Sequence, residues 1–185
     1  FSDQDDVWDS DKVSRALTAL GKIDDDVPAV YFSRTRLVDA NLQSIGMSPL
    51  CAREPGFRNA LVQSLAGANT LVLNQAARDL LRRANIPSVV SHDWWIYLVI
   101  SGAGGEVIYD PDASLSYRQH ESNVIGSSSG VWAALTRIAM LLSGRYKAWN
   151  EQNIRDLSQC ADLLTPENQQ LLTAFAEMRQ AWVFS

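Results

Sequence analysis

The pattern of apolar and polar residues divides the chain into a mixed first part and a helical second part. Up to about residue 126, short β-prone apolar runs alternate with segments of helical spacing. Beyond that point apolar residues recur every three or four positions, which predicts helices over 131–143, 147–163 and 166–181. Thr165 followed by Pro166 is a strong start for the last of these. We predict an α/β part over residues 1–126 and a helical extension over residues 127–185 that packs on it.

In the first part, residues 27–32 form an apolar, β-prone run, and Pro28 near its start suits an edge strand. Further strands are predicted at residues 69–73, 106–109 and 114–117. Residues 41–55 show no sustained period and contain Gly46, Pro49 and Pro55. This segment is predicted to be a loop, and a candidate lid on the acceptor side of a site.

Helices are predicted between these strands. The first follows the N-cap candidates at residues 9–11, with an apolar side that includes Val13, Leu17 and Leu20, and it closes at Gly21. Others are predicted over residues 57–65 and from an Asn74 cap to about residue 84.

The stretch Ser91-His92-Asp93-Trp94-Trp95 sets a carboxylate and one of the two histidines at the start of an apolar helix. Ser91 is a good N-cap, and glycines at 102, 104 and 105 end the helix. Asp93 in the first turn meets unpaired N–H groups and a helix dipole that favour its ionised form. The alternative is an aromatic core with an acid that merely caps the helix.

Composition limits the classes of partner. With 185 residues, 46% of them hydrophobic, the chain is long enough for a sizeable core. The net charge of -5 argues against a nucleic-acid binder that relies on a broad basic field. Cys51 and Cys160 indicate a reduced intracellular protein rather than a disulfide scaffold. No apolar run approaches the roughly 20 residues that cross a bilayer, so we expect a cytoplasmic protein.

Polar clusters supply the candidate chemistry. Asp3, Asp5 and Asp6 form an oxygen-rich group of the kind that holds Mg²⁺ or Mn²⁺, although a solvated acidic turn has the same composition. Arg34 and Arg36 alternate, which suits an anionic substrate or a surface ion pair. A predicted strand delivers a further set of polar residues to a loop, a plausible ligand edge: Arg118, Gln119, His120 and Asn123.

Three of these segments occur in a recognisable order: residues 2–8, residues 91–95 and residues 117–120 followed by Asn123. Together they closely resemble the signature of bacterial family 2 glycosyltransferases, in particular the rhamnosyltransferase-like branch of cell-surface polysaccharide assembly. The resemblance covers residues 1 to about 126, and Gly67-Ala68-Asn69-Thr70 with Asn74 looks like the strand segment between the motifs.

The resemblance implies a GT-A type α/β fold and inverting transfer of a sugar from a nucleotide diphosphate sugar to a saccharide acceptor. It implies Asp93 as the general base and His92, Trp94 and Trp95 as substrate contacts. It implies Mg²⁺ or Mn²⁺ as cofactor, and a cytoplasmic protein that can sit at the inner face of the membrane. Asp5, Asp3 and His120 would be the metal ligands. Asp6, Arg118, Gln119 and Asn123 would support the donor.

One departure stands out, because the family places the acidic motif after strand and helix units that bind the nucleotide, and only Phe1 and Ser2 precede it here. At about 30 residues a unit, this predicts a truncated fold with an exposed sheet edge through which the chain can self-associate. Two alternatives stay open: a catalytically inactive remnant that acts as a binding module, and a metal hydrolase that uses Asp5, Asp93 and His120.

Overall fold

Two small mixed sheets and six helices make up a computed structural model that describes residues 4–85, 88–119 and 145–181, with residues 145 and 181 described as backbone only. The strands are β1 Val7–Trp8, β2 Ala29–Ser33, β3 Arg36–Val38, β4 Ser44–Met47, β5 Val72–Leu73, β6 Glu106–Asp110 and β7 Leu115–Arg118. The helices are α1 Lys12–Leu20, α2 Phe57–Ala60, α3 Gln75–Ala84, α4 His92–Gly102, α5 Arg145–Gln159 and α6 Pro166–Ala181. Short 3₁₀ turns cover Ala68–Thr70 and Ala161–Leu163. The expectation of an α/β fold is confirmed at this level.

The smaller sheet has the order β5-β2-β6, with β2 parallel to β6 and antiparallel to β5. The prediction of an edge strand at residues 27–32 is therefore wrong, because β2 is central and all its residues are buried. Pro28 lies just before the strand, where its missing N–H interrupts no ladder. Its carbonyl accepts a hydrogen bond from the Glu106 N–H at 2.8 Å.

The larger sheet has the order β1-β7-β3-β4, in which β7 pairs antiparallel with β1 and parallel with β3. β4 pairs antiparallel with β3 and lies inside the segment predicted to be a loop. That prediction is wrong for Ser44–Met47. Ile45 and Met47 alternate with Ser44 and Gly46, but the strand is only four residues long and contains a glycine, so its pattern is too short to distinguish it from the surrounding loop. Both apolar residues are exposed.

Helix α1 buries only part of its predicted apolar side. Leu20 is buried with Ala16 and Lys12, whereas Val13 and Leu17 are 47% and 59% exposed, so the prediction is wrong for these two residues. Arg15 bonds to the carbonyls of residues 112 and 113 and to the Asp110 carboxylate. These polar contacts connect the helix to the turn after β6 in the orientation that leaves Val13 and Leu17 exposed.

Helix α4 is the centre of the main core, and its residues 94–102 are all buried. The helices α2 and α3 pack on it, as do strands β2 and β6. Ser91 is the N-cap residue of α4, as predicted, although its hydroxyl makes no capping hydrogen bond in the described structure. The helix begins and ends where expected. Among the described helices, none is long and apolar enough to cross a membrane.

The last helices join the same core through α4. Leu157, Leu164 and Leu172 belong to its buried cluster. The Asn168 side chain donates to the Gly102 carbonyl at 2.9 Å, and the backbone N–H of Thr165 donates to the same oxygen at 3.0 Å. Thr165 also accepts from the N–H of Asn168, as its predicted cap role requires. The predicted helix at 131–143 lies outside the described residues.

Asn74 offers a test of how β2 is anchored to α3. Its Oδ1 accepts from the N–H groups of Ala77 at 2.9 Å and Ala29 at 3.0 Å, and its Nδ2 donates to the Val27 carbonyl at 2.7 Å. Asn74→Ala removes a helix cap and two further bonds, so we expect a loss of about 2–4 kcal/mol in the free energy of unfolding. Urea denaturation measures this. The exposed neighbour Gln75→Ala is the control, and an equal loss in both variants would contradict the assignment.

Asp110 should give the protein an acid-sensitive contact. Burial disfavours its charge, but hydrogen bonds from Tyr31, Asp112 and Arg15 outweigh burial and lower the pKa of Asp110 below 3.8. Since the folded pKa is depressed, its stabilisation is present above that ordinary value and is lost as pH falls through the folded pKa.

Asp110→Asn is therefore expected to cost about 1.5–3 kcal/mol near neutral pH, and the difference from the unsubstituted protein should shrink as the solution is acidified. Urea denaturation across a pH series measures the difference, with Asp26→Asn in an exposed turn as control. A difference that is constant over the acid range would refute the contribution of this carboxylate.

Candidate functional site

The acidic turn at Asp5 and Asp6 meets the end of strand β7. Val7 pairs with Ser116 and Trp8 with Leu115 in an antiparallel register. Asp5 and Asp6 immediately precede this pairing, on the side of β1 that lies toward Tyr117 and Arg118 at the end of β7. Two of the three segments singled out in the sequence are thus brought to one end of the larger sheet.

Asp6 is held from the side by a residue far along the chain. Its Oδ2 accepts a hydrogen bond from Asn69 Nδ2 at 2.7 Å. The Lys12 ammonium lies 3.5 Å from the centroid of the Trp8 ring, next to the same turn. Burial lowers the pKa of Lys12, and the negative charge of Asp6 opposes that shift. The turn is therefore held by side-chain contacts to other parts of the chain and is not a solvated acidic tail.

A cleft of about 670 Å³ lies beside this turn, and Asn69 and Tyr117 are part of its wall. Its described lining contains no carboxylate. The lining combines two arginines, Arg34 and Arg53, with neutral polar residues that include Asn59, Gln63, Ser64 and Tyr109. Hydroxyl and amide groups beside apolar surface are suited to a ligand rich in hydroxyls.

Asp93 lies at the start of α4 and is half-buried. Its Oδ1 accepts the backbone N–H of Trp94 at 2.8 Å, so the carboxylate is held against the first turn of the helix. The Trp94 indole donates to the Ala60 carbonyl at 2.7 Å, and Ala60 follows Asn59, which lines the cleft. The start of α4 is thus linked to the cleft through α2, although Asp93 itself is not part of the described lining. His92 beside it is exposed.

Trp94 and Trp95 are 4% and 6% exposed and belong to the main core. The core role that the sequence left open for these residues is therefore present. Their contact with substrate stays a prediction.

Of the polar residues that the sequence places at the end of β7 and after it, the structure describes Arg118 and Gln119. Arg118 donates from Nη1 to the Ala40 carbonyl at 3.1 Å, and the Gln119 N–H bonds to the Val38 carbonyl at 2.8 Å. Gln119 therefore extends the pairing of β7 with β3. Asp3, His120 and Asn123 lie outside the described residues.

The pair Arg34 and Arg36 makes structural contacts. Arg36 forms an ion pair with Asp9. This agrees with the second of the two interpretations of these arginines, a surface ion pair rather than a contact with an anionic substrate. Arg34 donates from Nε and Nη2 to the Ser48 carbonyl, at 3.0 and 2.8 Å, and it also lines the cleft. The arginines consequently face different surroundings.

The donor type in the acidic turn fits a hard divalent cation, because carboxylate oxygens are the ligands that Mg²⁺ and Mn²⁺ prefer. Among residues 4–85, 88–119 and 145–181 there is no group of three or more His, Cys, Asp or Glu side chains able to hold an ion. The described part contributes Asp5, with Asp6 already bound to Asn69.

Two residues of this region were not identified from the sequence as functional. Asn69 lies in a segment that the sequence predicts to be a strand, whereas residues 68–70 form a 3₁₀ turn. From this turn the Asn69 amide reaches Asp6 in the acidic turn. Lys12 shares the spacing of Ala16 and Leu20, a signal that it lies on the buried side of α1.

Comparison with known proteins adds a relationship. No protein-family model matches the chain. The chain is similar to the dTDP-rhamnosyl transferase RfbG of Shigella flexneri, with 28% identity over 157 residues, which covers 80% of this chain and 51% of that protein. The chain therefore spans about half the length of the curated relative it matches. The similarity supports a relationship to glycosyltransferases in general.

The buried role of Trp94 can be tested by Trp94→Phe. The change keeps an aromatic ring but leaves the Ala60 carbonyl without its indole donor, so we expect a loss of about 1–3 kcal/mol in the free energy of unfolding. Trp95→Phe makes the same change of volume at the next buried position and is the comparison in urea denaturation. If Trp94→Phe proves no more destabilising than Trp95→Phe, the hydrogen bond has no net stabilising role.

Proposed function

We propose that this chain is the acceptor-side part of an inverting, metal-dependent family 2 glycosyltransferase with a GT-A type fold. A sugar would pass from a nucleotide diphosphate sugar to an acceptor hydroxyl in polysaccharide assembly. The observation that carries the proposal is the meeting of the acidic turn with the Arg118 end of β7 beside a cleft of about 670 Å³. The similarity to a rhamnosyl transferase supports the same reaction class.

On the donor side, Asp5 is proposed as a metal ligand together with Asp3 and His120. A divalent ion held there would neutralise the charge that develops on the leaving diphosphate. Arg118, at the end of β7 that lies next to the acidic turn, has a forked guanidinium suited to phosphate oxygens. One of its nitrogens donates to the Ala40 carbonyl, and the guanidinium is proposed to bind the diphosphate as well.

On the acceptor side, Asp93 is proposed as the general base. As the acceptor oxygen forms its bond to the anomeric carbon, the bond from that carbon to the diphosphate breaks, and the hydroxyl proton passes to the Asp93 carboxylate. The Trp94 N–H bonds to Oδ1 of Asp93 at 2.8 Å and fixes the direction of the carboxylate at the start of the helix.

The cleft is proposed as the place of the acceptor saccharide. Asn59, Gln63 and Ser64 offer amide and hydroxyl groups to sugar hydroxyls. The described lining has no carboxylate that would repel a negatively charged acceptor. α2 connects this wall to the start of α4, because Ala60 accepts the Trp94 indole N–H. Movement of the base relative to the acceptor would be restricted by that contact.

The assignment of Asp93 is tested in the full-length protein by Asp93→Asn. The change keeps the shape and the contact with the Trp94 N–H but removes the proton acceptor, so we expect the transfer rate to fall by roughly 100- to 10,000-fold. Donor binding, measured by calorimetry, should stay close to that of the unsubstituted protein, because the lost interaction acts in the transition state.

Asp25→Asn, in an exposed turn, is the matched control and should leave both quantities unchanged. Turnover of Asp93→Asn at the unsubstituted rate would refute the assignment of the base.

A further inference from the structure

We propose that Asn69, through its hydrogen bond to Asp6, and Lys12, through its contact with Trp8, are positioning residues that hold the turn that carries Asp5 at the edge of the cleft. The inference rests on the function proposed above for this turn. It assigns Asp6 to the support of the site and adds two residues, from α1 and from the segment before β5, to which the sequence assigned no functional role.

Asn69 is a fixed donor. Only 6% of it is exposed, and its Nδ2 lies 2.7 Å from Asp6 Oδ2. The 3₁₀ turn that carries it is closed by Thr70, whose N–H and Oγ1 both bond to the Gly67 carbonyl at 3.0 Å. Thr70 is fully buried. An amide on so rigid a turn sets the direction of the carboxylate that it binds, and hydrogen bonds to charged groups are the stronger class.

Lys12 is placed where a cation is costly. It is the first residue of α1, where the helix dipole disfavours positive charge, and it is only 2% exposed. A buried charge needs partners. The described partners are the Trp8 ring, 3.5 Å from Nζ, and the negative charge of Asp6. Cation and ring attract each other through the ring quadrupole.

The two contacts act on both sides of Val7. The Lys12 ammonium lies over the Trp8 ring and is attracted by the negative charge of Asp6. The Asn69 amide, which is distant in sequence, donates a hydrogen bond to Asp6. Residues 6 and 8 are fixed in this way to α1 and to the wall of the cleft. The position of Asp5, one residue before Asp6, depends on them. Since Asn69 also lines the cleft, the same amide connects the acidic turn to whatever the cleft binds.

The test compares Asn69→Ala and Lys12→Met with the matched controls Asn41→Ala and Lys22→Met, whose residues are exposed. Mn²⁺ affinity of the folded protein, measured from the free Mn²⁺ signal in electron paramagnetic resonance, is the main readout. Residues that support metal ligands typically cost 10- to 100-fold in affinity when they are removed, so we expect about that weakening in both variants. Lys12→Arg, which keeps the cation, should recover most of it.

A role in stability alone would lower the free energy of unfolding without weakening Mn²⁺ binding by the folded fraction, and that result overturns the inference. Asp6→Asn provides a variant that keeps the size of the side chain and guards against loss of folding. It should weaken Mn²⁺ binding, and adding Asn69→Ala to it should weaken binding much less than Asn69→Ala alone.

The two proposals fail in different ways. If the unsubstituted protein binds no Mn²⁺ while folded, the metal-dependent function proposed for the turn is wrong and the inference falls with it. If the unsubstituted protein binds Mn²⁺ and the variants at residues 12 and 69 bind it equally well, only the positioning role is contradicted.

Discussion

The enclosure of helix α4 is the constraint on which the rest of the structure depends. A helix that is apolar on every side has no face to offer to water, so other elements must cover it completely. Here β2 and β6 lie against it, α2 and α3 pack beside it, and leucines of the C-terminal helices complete the same core. The polar start of the helix, at His92 and Asp93, is then left at the rim of the core, which is where a carboxylate can meet a ligand.

The same principle explains the position of the acidic turn. Strand β1 is only two residues long, and its pairing with β7 cannot by itself hold the acids that precede it. The turn is instead fixed by side chains: Asn69 from the wall of the cleft and Lys12 from α1. The candidate site is therefore built at the ends of elements, by residues whose backbones are anchored elsewhere.

Sequence reasoning located the features that local chemistry determines. Asn74 starts α3 as a cap, the three glycines end α4, and Thr165 caps the last helix, because each depends on a few adjacent residues. It failed where the local pattern is too short or where distant contacts decide. The alternation of β4 covers only four residues, one of them a glycine, which is too short to identify a strand. Leu17 of α1 is exposed, and the contacts of Arg15 with residues 110 and 113, which connect this helix to the turn after β6, are distant in sequence. The bond between Asn69 and Asp6 joins residues 63 positions apart, and no spacing predicts it.

For the site, the ordered motifs indicated the reaction class, and the structure adds the cleft and the connections between the motifs. The central claim is that the acidic turn serves a nucleotide diphosphate donor. Calorimetry of a nucleoside diphosphate with the folded chain, with Mn²⁺ and with a chelator in its place, tests that claim most directly. The account predicts binding that requires the metal. Absence of binding under both conditions in a folded sample, or equal binding with the chelator, would contradict it.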